Sequence, residues 1–276
     1  MLFYEHTLDL GADKPFTFLH VSDTHLTFAD ERDGQRKTEL AARRALTFPD
    51  AEENLLSAEQ KARELGCFIA HTGDLIDFVS LKNLETAKAF TDEYDCFMAA
   101  GNHEFSLYVG EAKEDAAYRA QSLDKVQSVF HNDIRFSVRL ENGIKLIALD
   151  NSYYLIEQEQ LAALKNELSD GVPAILFMHT PLYSPEVFDF CVETEGGVPA
   201  YLMSVPEEKM RGYSPERYEQ QKEDETTARA YRYILGCDNI KAVFAGHVHH
   251  DFESFVTPSL PQYITGLGSG RIVHVR

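Results

Sequence analysis

Imidazoles and carboxylates recur along this sequence in short blocks: Asp23-Thr24-His25, Gly73-Asp74, Gly101-Asn102-His103-Glu104, His179, and Gly246-His247-Val248-His249. At the end of a strand, Asp-x-His or His-x-His puts both side chains on one side of the chain, because alternate residues point the same way. Such pairs can hold one metal ion or bracket two. Gly73, Gly101 and Gly246 each precede a candidate ligand, where a missing Cβ lets the backbone turn sharply and approach an ion. Imidazole with carboxylate suits Fe, Mn, Zn or Co better than Mg alone, and the nitrogen count argues against Ca. Nothing resembles a structural zinc site, since no cysteine lies near these histidines.

The elements that must position these residues are legible from hydrophobic patterning. Apolar runs at 16–21, 67–70, 96–99, 174–178 and 242–245 each lead directly into one of the polar blocks. Runs of this length, apolar on both faces, read as buried strands. Helices are expected between them. One has Asp50 as N-cap, Glu53 three residues on, a face of Leu55, Ala58, Ala62 and Leu65, and Gly66 as its close. Residues 156–168 and 225–235 read similarly. Strands alternating with helices imply an α/β sheet whose site gathers at the strands' carboxyl ends. Runs at 135–140 and 144–149 flank Glu141-Asn142-Gly143, a hairpin signal, and further apolar stretches occur at 252–256 and 271–275. Antiparallel strands therefore join the parallel ones, which favours two stacked sheets over one doubly wound sheet.

With 276 residues, the chain is long enough for one large α/β domain, spanning 1–276, with a sizeable core. Its 26 basic and 45 acidic side chains leave a formal charge of −19. A surface this acidic repels phosphate backbones, so neither nucleic-acid polymers nor anionic membranes are expected partners. No signal peptide or bilayer-spanning run is seen. The scattered Cys67, Cys96, Cys191 and Cys237 read as reduced thiols, with Cys67, Cys96 and Cys237 buried, and the expected location is cytoplasmic. Between residues 184 and 224 there are ten acidic and four basic residues, and five of the ten prolines fall between Pro181 and Pro215. This marks 182–228 as an irregular lid or loop insertion.

The ordered blocks resemble the calcineurin-like metallophosphoesterases, whose pattern is Asp-x-His, Gly-Asp, Gly-Asn-His-Glu/Asp, His and Gly-His-x-His. The likeness runs from Phe16 to about Val275. It implies a four-layer αββα sandwich of two mixed β-sheets flanked by helices. It also implies a centre of two transition-metal ions. Asp23, His25, Asp74 and His249 would hold one; Asp74, Asn102, His179 and His247 the other, with Asp74 bridging. In the family a hydroxide between the metals attacks phosphorus, and a histidine at the position of His103 serves the leaving oxygen. The phosphate-clamping arginines of Ser/Thr protein phosphatases are missing, since Phe78 follows Asp77 and Ala100 precedes Gly101. A Tyr at position 77, which purple acid phosphatases need, is absent too. The carboxylate equivalent to Asp77 orients the catalytic histidine in relatives, so Asp77 is assigned provisionally to His103. The implied activity is hydrolysis of a small phosphomonoester or phosphodiester, nucleotides among them. A non-catalytic protein-binding scaffold of the same fold and a nuclease of the superfamily stand as alternatives.

Several residues have simpler readings. Asp77 also reads as an N-cap for a helix over 78–90. Glu104 reads as a solvated loop acid without a role. His20 and His71 lie in apolar runs as core or supporting histidines, and His250 reads as a surface residue. The acidic stretch 216–227 reads as the solvated face of a helix.

Overall fold

The computed structural model describes residues 1–110 and 114–276. Strands β1 (Leu2–Leu8), β2 (Phe16–Val21), β3 (Phe68–His71), β4 (Cys96–Met98) and β11 (Ser269–Val275) form one sheet, in the order β1-β11-β2-β3-β4. Strands β5 (Phe136–Glu141), β6 (Ile144–Leu149), β7 (Ala174–Phe177), β8 (Ile240–Ala245), β9 (Phe252–Thr257) and β10 (Leu260–Ile264) form the second, in the order β5-β6-β7-β8-β10-β9. Both sheets are mixed. β2, β3 and β4 run parallel, as do β6, β7, β8 and β10, while β11 against β2, β5 against β6 and β9 against β10 are antiparallel.

Alternation along the strands decides the layering. In β2, Phe18 points between the sheets and Leu19 and Val21 point outward; in β6, Leu146 and Ala148 point inward and Ile147 and Leu149 outward. The inner layer is dominated by rings. Phe18 meets Phe177 and Phe244 edge-on at 5.5 and 5.4 Å. Outside the first sheet lie α2 (Ala51–Leu65), α3 (Leu81–Glu93) and the short α5 (Leu123–Gln127), which bury Leu55, Ala58, Phe90 and Val126. Outside the second lie α6 (Gln158–Glu167) and α9 (Glu225–Gly236), which bury Leu161, Leu164, Ala230 and Ile234. The expected four-layer αββα sandwich is the observed one.

The hairpin turns at Asn142 and Gly143, both with positive φ (46° and 85°), as a tight two-residue connection requires. Gly66 closes α2 in the left-handed region, whereas Asp50 precedes that helix without a side-chain capping bond. The expected helix over 78–90 begins later. Ser80 caps α3 by accepting from the Asn83 amide, so Asp77 lies outside it and the N-cap reading is overturned.

The irregular insertion is a second correction. About half of it is helical: α7 (Pro185–Thr194), a 3-10 turn at Glu207–Gly212 and α8 (Pro215–Gln221). Val187, Phe188, Cys191, Leu202, Val205 and Met210 pack into a small core of their own against Ile264. The acidic stretch 216–227 is not one helix, because α8 ends at Gln221 and Asp224 caps α9. Among the cysteines, Cys191 is the buried one and Cys67, Cys96 and Cys237 are half-buried, the reverse of the expected pattern; all four are free. Among the described residues no helix is long and apolar enough to cross a membrane.

His20 and His71 are satisfied core histidines. His20 bonds Thr72 and Thr265 hydroxyls at 2.9 and 2.8 Å. His71 Nδ1 accepts the Gly73 amide at 3.1 Å and Nε2 meets Thr24 Oγ1 at 3.0 Å, a pattern that needs the neutral ring. Burial pushes the His71 pKa down to about 4. The unfolded chain therefore takes up this proton first. The stabilisation is complete above about pH 6.5 and drains away as pH falls toward 4. Replacing His71 by Gln should flatten the acid side of the stability profile by about 1.4 kcal/mol per pH unit, measured by urea unfolding across pH 7 to 4. An unchanged slope would show that His71 is not held neutral.

Candidate metal centre

All the candidate ligands sit at or just beyond the carboxyl ends of parallel strands. Asp23 and His25 follow β2, Asp74 follows β3 and Asn102 follows β4; His179 follows β7, and His247 and His249 follow β8. Five of these seven residues leave their strands in the left-handed region: Asp23 (φ 54°), His25 (53°), Asp74 (55°), His247 (70°) and His249 (60°). Such a conformation costs a non-glycine residue about 1–2 kcal/mol and persists only where surroundings over-determine it. Here the two turns of the first sheet brace each other, with Asp23 N donating to Gly73 O at 3.0 Å and His25 N to Asp74 O at 2.8 Å. The second sheet joins through His247 N, which donates to Asp23 Oδ2 at 2.8 Å. The glycine between is required, because a Cβ on Gly246 would overlap Ser22 Oγ and Asp23 Oδ2.

Each ligand candidate but His249 has one polar atom tied back into the protein and one left facing its neighbours. Asp23 Oδ2 is used by His247, and Oδ1 is buried with no hydrogen-bond partner, 3.5 Å from His249 Nε2 and 3.8 Å from His25 Nε2. His25 donates from Nδ1 to Asp77 Oδ1 at 3.0 Å, so its Nε2 lone pair faces His249 Nε2 at 3.0 Å. His179 donates from Nδ1 to Thr72 O at 2.7 Å, leaving Nε2 against His247 Nδ1 at 3.0 Å and Asn102 Oδ1 at 3.2 Å. Asn102 Nδ2 donates to Glu114 at 2.8 Å, which fixes the amide so that its oxygen faces the centre. Asp74 Oδ1 accepts the His103 amide at 2.8 Å; Oδ2 stands 3.6 Å from His25 Nε2 and 3.2 Å from His179 Nε2.

The ligand atoms fall into two groups, Asp23-His25-Asp74-His249 and Asp74-His179-His247, each with its atoms within 4.8 Å of one another. Converging lone pairs and an orphaned carboxylate oxygen in a buried site are unfavourable by themselves and are the donor set a cation needs. The residues fit the expected metal ions. His25, Asp77 and His103 form a third close group, but both Asp77 oxygens are held by Arg44, at 2.6 and 2.8 Å, so this is a hydrogen-bonded cluster.

That cluster orients His103. Its Nδ1 donates to Asp77 O at 2.7 Å and lies 3.1 Å from Asp77 Oδ1, so Nε2 is turned away from this support. Burial pulls the His103 pKa down, yet Asp74 and Asp77 outweigh it and push it up to about 10. Arg44, on α1 (Gln35–Thr47), was not anticipated, and no local pattern links it to a residue 33 positions away.

Glu104 is no solvated loop acid. It is fully buried, and its carboxylate accepts four amides: Asp74 N and Gly101 N on Oε2 at 2.7 and 2.8 Å, Leu75 N and Ile76 N on Oε1 at 2.8 and 3.2 Å. Burial and Asp74 push its pKa up, to about 7, against the pull of these amides. One carboxylate thus clamps the turn after β3 to the turn after β4. His250, at the cleft mouth, pairs with Glu195 at 3.1 Å.

The centre opens into a cleft of about 310 Å³. Asp74, Asn102, His103, His247 and His249 form its floor, and Tyr154, Tyr201 and Arg217 stand on its wall, the last two from the insertion.

The calcineurin-like phosphoesterase family model matches residues 16–251. The chain belongs to this family. It is therefore a metallophosphoesterase, a hydrolase acting on phosphoric ester bonds. Among solved structures, a dimetal phosphatase from Danio rerio shares the fold at a TM-score of 0.54 and 15% identity, covering 92% of this chain and 88% of that one. A phosphopantetheinyl hydrolase from Mycobacterium tuberculosis matches at a TM-score of 0.46 and 13% identity, covering 91% of this chain and 90% of that one. A 5′-nucleotidase from Candida albicans matches at 0.43 and 15% identity, covering 91% of this chain and 46% of that one. No curated protein sequence matches.

In this phosphoesterase the Glu104 clamp yields a direct expectation. Glu104→Gln keeps the shape but turns an NH₂ group toward backbone N–H donors. It should lose on the order of 2–3 kcal/mol in urea unfolding and bind metal more weakly. Wild-type stability and affinity in that variant would show that the carboxylate is dispensable.

Proposed function

We propose that this phosphoesterase hydrolyses small phosphate esters at a two-metal centre. In this reading Asp23, His25, Asp74 and His249 hold one ion, and Asp74, Asn102, His179 and His247 hold the other. The observation that supports it most is Asp74, the residue common to both ligand groups, whose Oδ2 stands 3.6 Å from His25 of one group and 3.2 Å from His179 of the other. The histidine, carboxylate and amide donors suit Mn, Fe, Zn or Co. Such a pair of ions, when bound, supplies an activated water nucleophile at neutral pH and neutralises phosphoryl charge.

The chain's own residues do the remaining work. Asp77 and Thr72 fix the tautomers of His25 and His179, presenting Nε2 to the centre. Asp23 and Asp74 leave two negative charges beneath the ions, so a bound phosphate meets net positive charge although the protein is acidic. His103, held by Asp77 and Arg44, keeps a proton at Nε2 and gives it to the leaving oxygen. A cleft of about 310 Å³ supports a small ester rather than a polymer. A scaffold has no use for a braced histidine at the cleft floor, and this favours the enzyme over the binding protein.

Three variants separate these roles. His103→Ala should lose about 10²–10⁴-fold in kcat/KM with an alkyl phosphate, clearly less with p-nitrophenyl phosphate, and keep its metal. Equal losses with both esters would remove the proton-donor role, and loss of metal would make His103 a ligand. Asp74→Asn should weaken both metal sites and His249→Ala chiefly one, as read by elemental analysis after equilibrium dialysis. Equal effects of the two substitutions would refute the bridge.

A further inference from the structure

Arg217 is an anomaly in a chain of charge −19. Arginines elsewhere that are partly buried are paired: Arg44 with Asp77, Arg119 and Arg135 with Asp150 and Glu157, Arg271 with Glu253. Arg217 is half-buried on the cleft wall; among the described residues it is the one Lys or Arg side chain there, and it makes no ion pair. Its Nη1 donates to Tyr154 Oη at 3.2 Å, and its guanidinium lies 4.5 Å from the centre of the Tyr201 ring, which holds the plane flat against the wall. Among the described residues that is the guanidinium's one hydrogen bond, so four of its five donors are left over.

Tyr154 is the second half of this feature. It is 1% exposed and adopts φ 65°, so the backbone is strained to place it. Its hydroxyl lies 2.9 Å from His247 Nε2. With His247 Nδ1 turned toward the centre, Nε2 carries the proton and donates to Tyr154 Oη. The oxygen then accepts from both His247 and Arg217, and the hydroxyl proton is free for an acceptor in the cleft. Arg217 touches none of the candidate ligands directly: it reaches His247 only through Tyr154, by hydrogen bonds of 3.2 and 2.9 Å, and lines the same cleft.

We propose that Arg217 and Tyr154 form a second anion-binding point, and that the substrate is a phosphate ester whose leaving group bears another oxyanion, a phosphate or a carboxylate. This rests on the two-metal reading above. Arg217 suits either anion, because its planar fork pairs bidentately with both. It adds affinity and selects the leaving group, and it takes no part in bond cleavage.

Three esters of matched shape test this on the metal-loaded protein: phenyl phosphate, 4-carboxyphenyl phosphate and 1,4-phenylene bisphosphate. The wild type should favour one or both esters whose leaving group bears the extra oxyanion over phenyl phosphate by about 10–100-fold in kcat/KM, chiefly through KM. Arg217→Gln should collapse that preference to within a few-fold, and Arg217→Lys should keep part of it. The carboxylate and phosphate arms tell which oxyanion is taken. A wild type without preference, or an Arg217→Gln loss equal for all three esters at unchanged metal content, would overturn the proposal while leaving the two-metal reading intact. A metal-loaded wild type that hydrolyses none of the three would overturn both.

Discussion

The structure turns on one carboxylate with no oxygen to spare. Asp74 Oδ1 is taken by the His103 amide, and Oδ2 lies between His25 of one sheet and His179 of the other. Two sheets packed through an apolar interface that includes Phe18, Phe177 and Phe244 must therefore be in register at their carboxyl ends to within about an ångström. The antiparallel strands serve this need. β11 lies between β1 and β2 in the first sheet, β5 and β9 form the edges of the second, and the parallel strands that carry the site all discharge their loops at one end.

Local strain is the other side of that arrangement. Five left-handed turns and converging imidazole lone pairs are unfavourable without support. Support comes from side-chain atoms that face away from the centre. Glu104 gathers four amides of two turns, Arg44 closes on Asp77, and Asp23 Oδ2 draws in the loop after β8. Because buried carboxylates are held by fixed donors, the ligands are positioned before any cation arrives, and ion binding need not reorganise the site.

Much of this was legible in the sequence, for a physical reason. Strands that end in ligands must be apolar up to the turn and polar just beyond it, so 16–21 followed by Ser-Asp-Thr-His reads unambiguously. What escaped depends on contacts between residues far apart. Glu104 looks like any loop acid until the amides of Asp74, Leu75 and Ile76 are seen around it, about thirty residues back. Arg44 and Tyr154 have no local signature at all. The helices of the insertion did have one. Ser184-Pro185 and Ser214-Pro215 each place a capping serine before a proline at the first helical position, and both serines cap as that pattern requires. Proline and glycine content outweighed it in the reading of 182–228 as irregular.

The insertion gives the cleft a wall that the strand ends alone do not provide, and its own small core keeps Tyr201 and Arg217 in place. In the proposed reading the chemistry of the floor belongs to the strand ends, and the choice of leaving group depends on Arg217 of the insertion. In the proposed reading everything on the floor depends on Asp74 being shared. Loading the protein with manganese(II), counting the ions and recording the electron paramagnetic resonance spectrum examines that sharing without reference to activity. Two ions per chain with an exchange-coupled spectrum are expected when a carboxylate bridges them. One ion per chain, or two with the spectrum of isolated manganese, would contradict a shared Asp74.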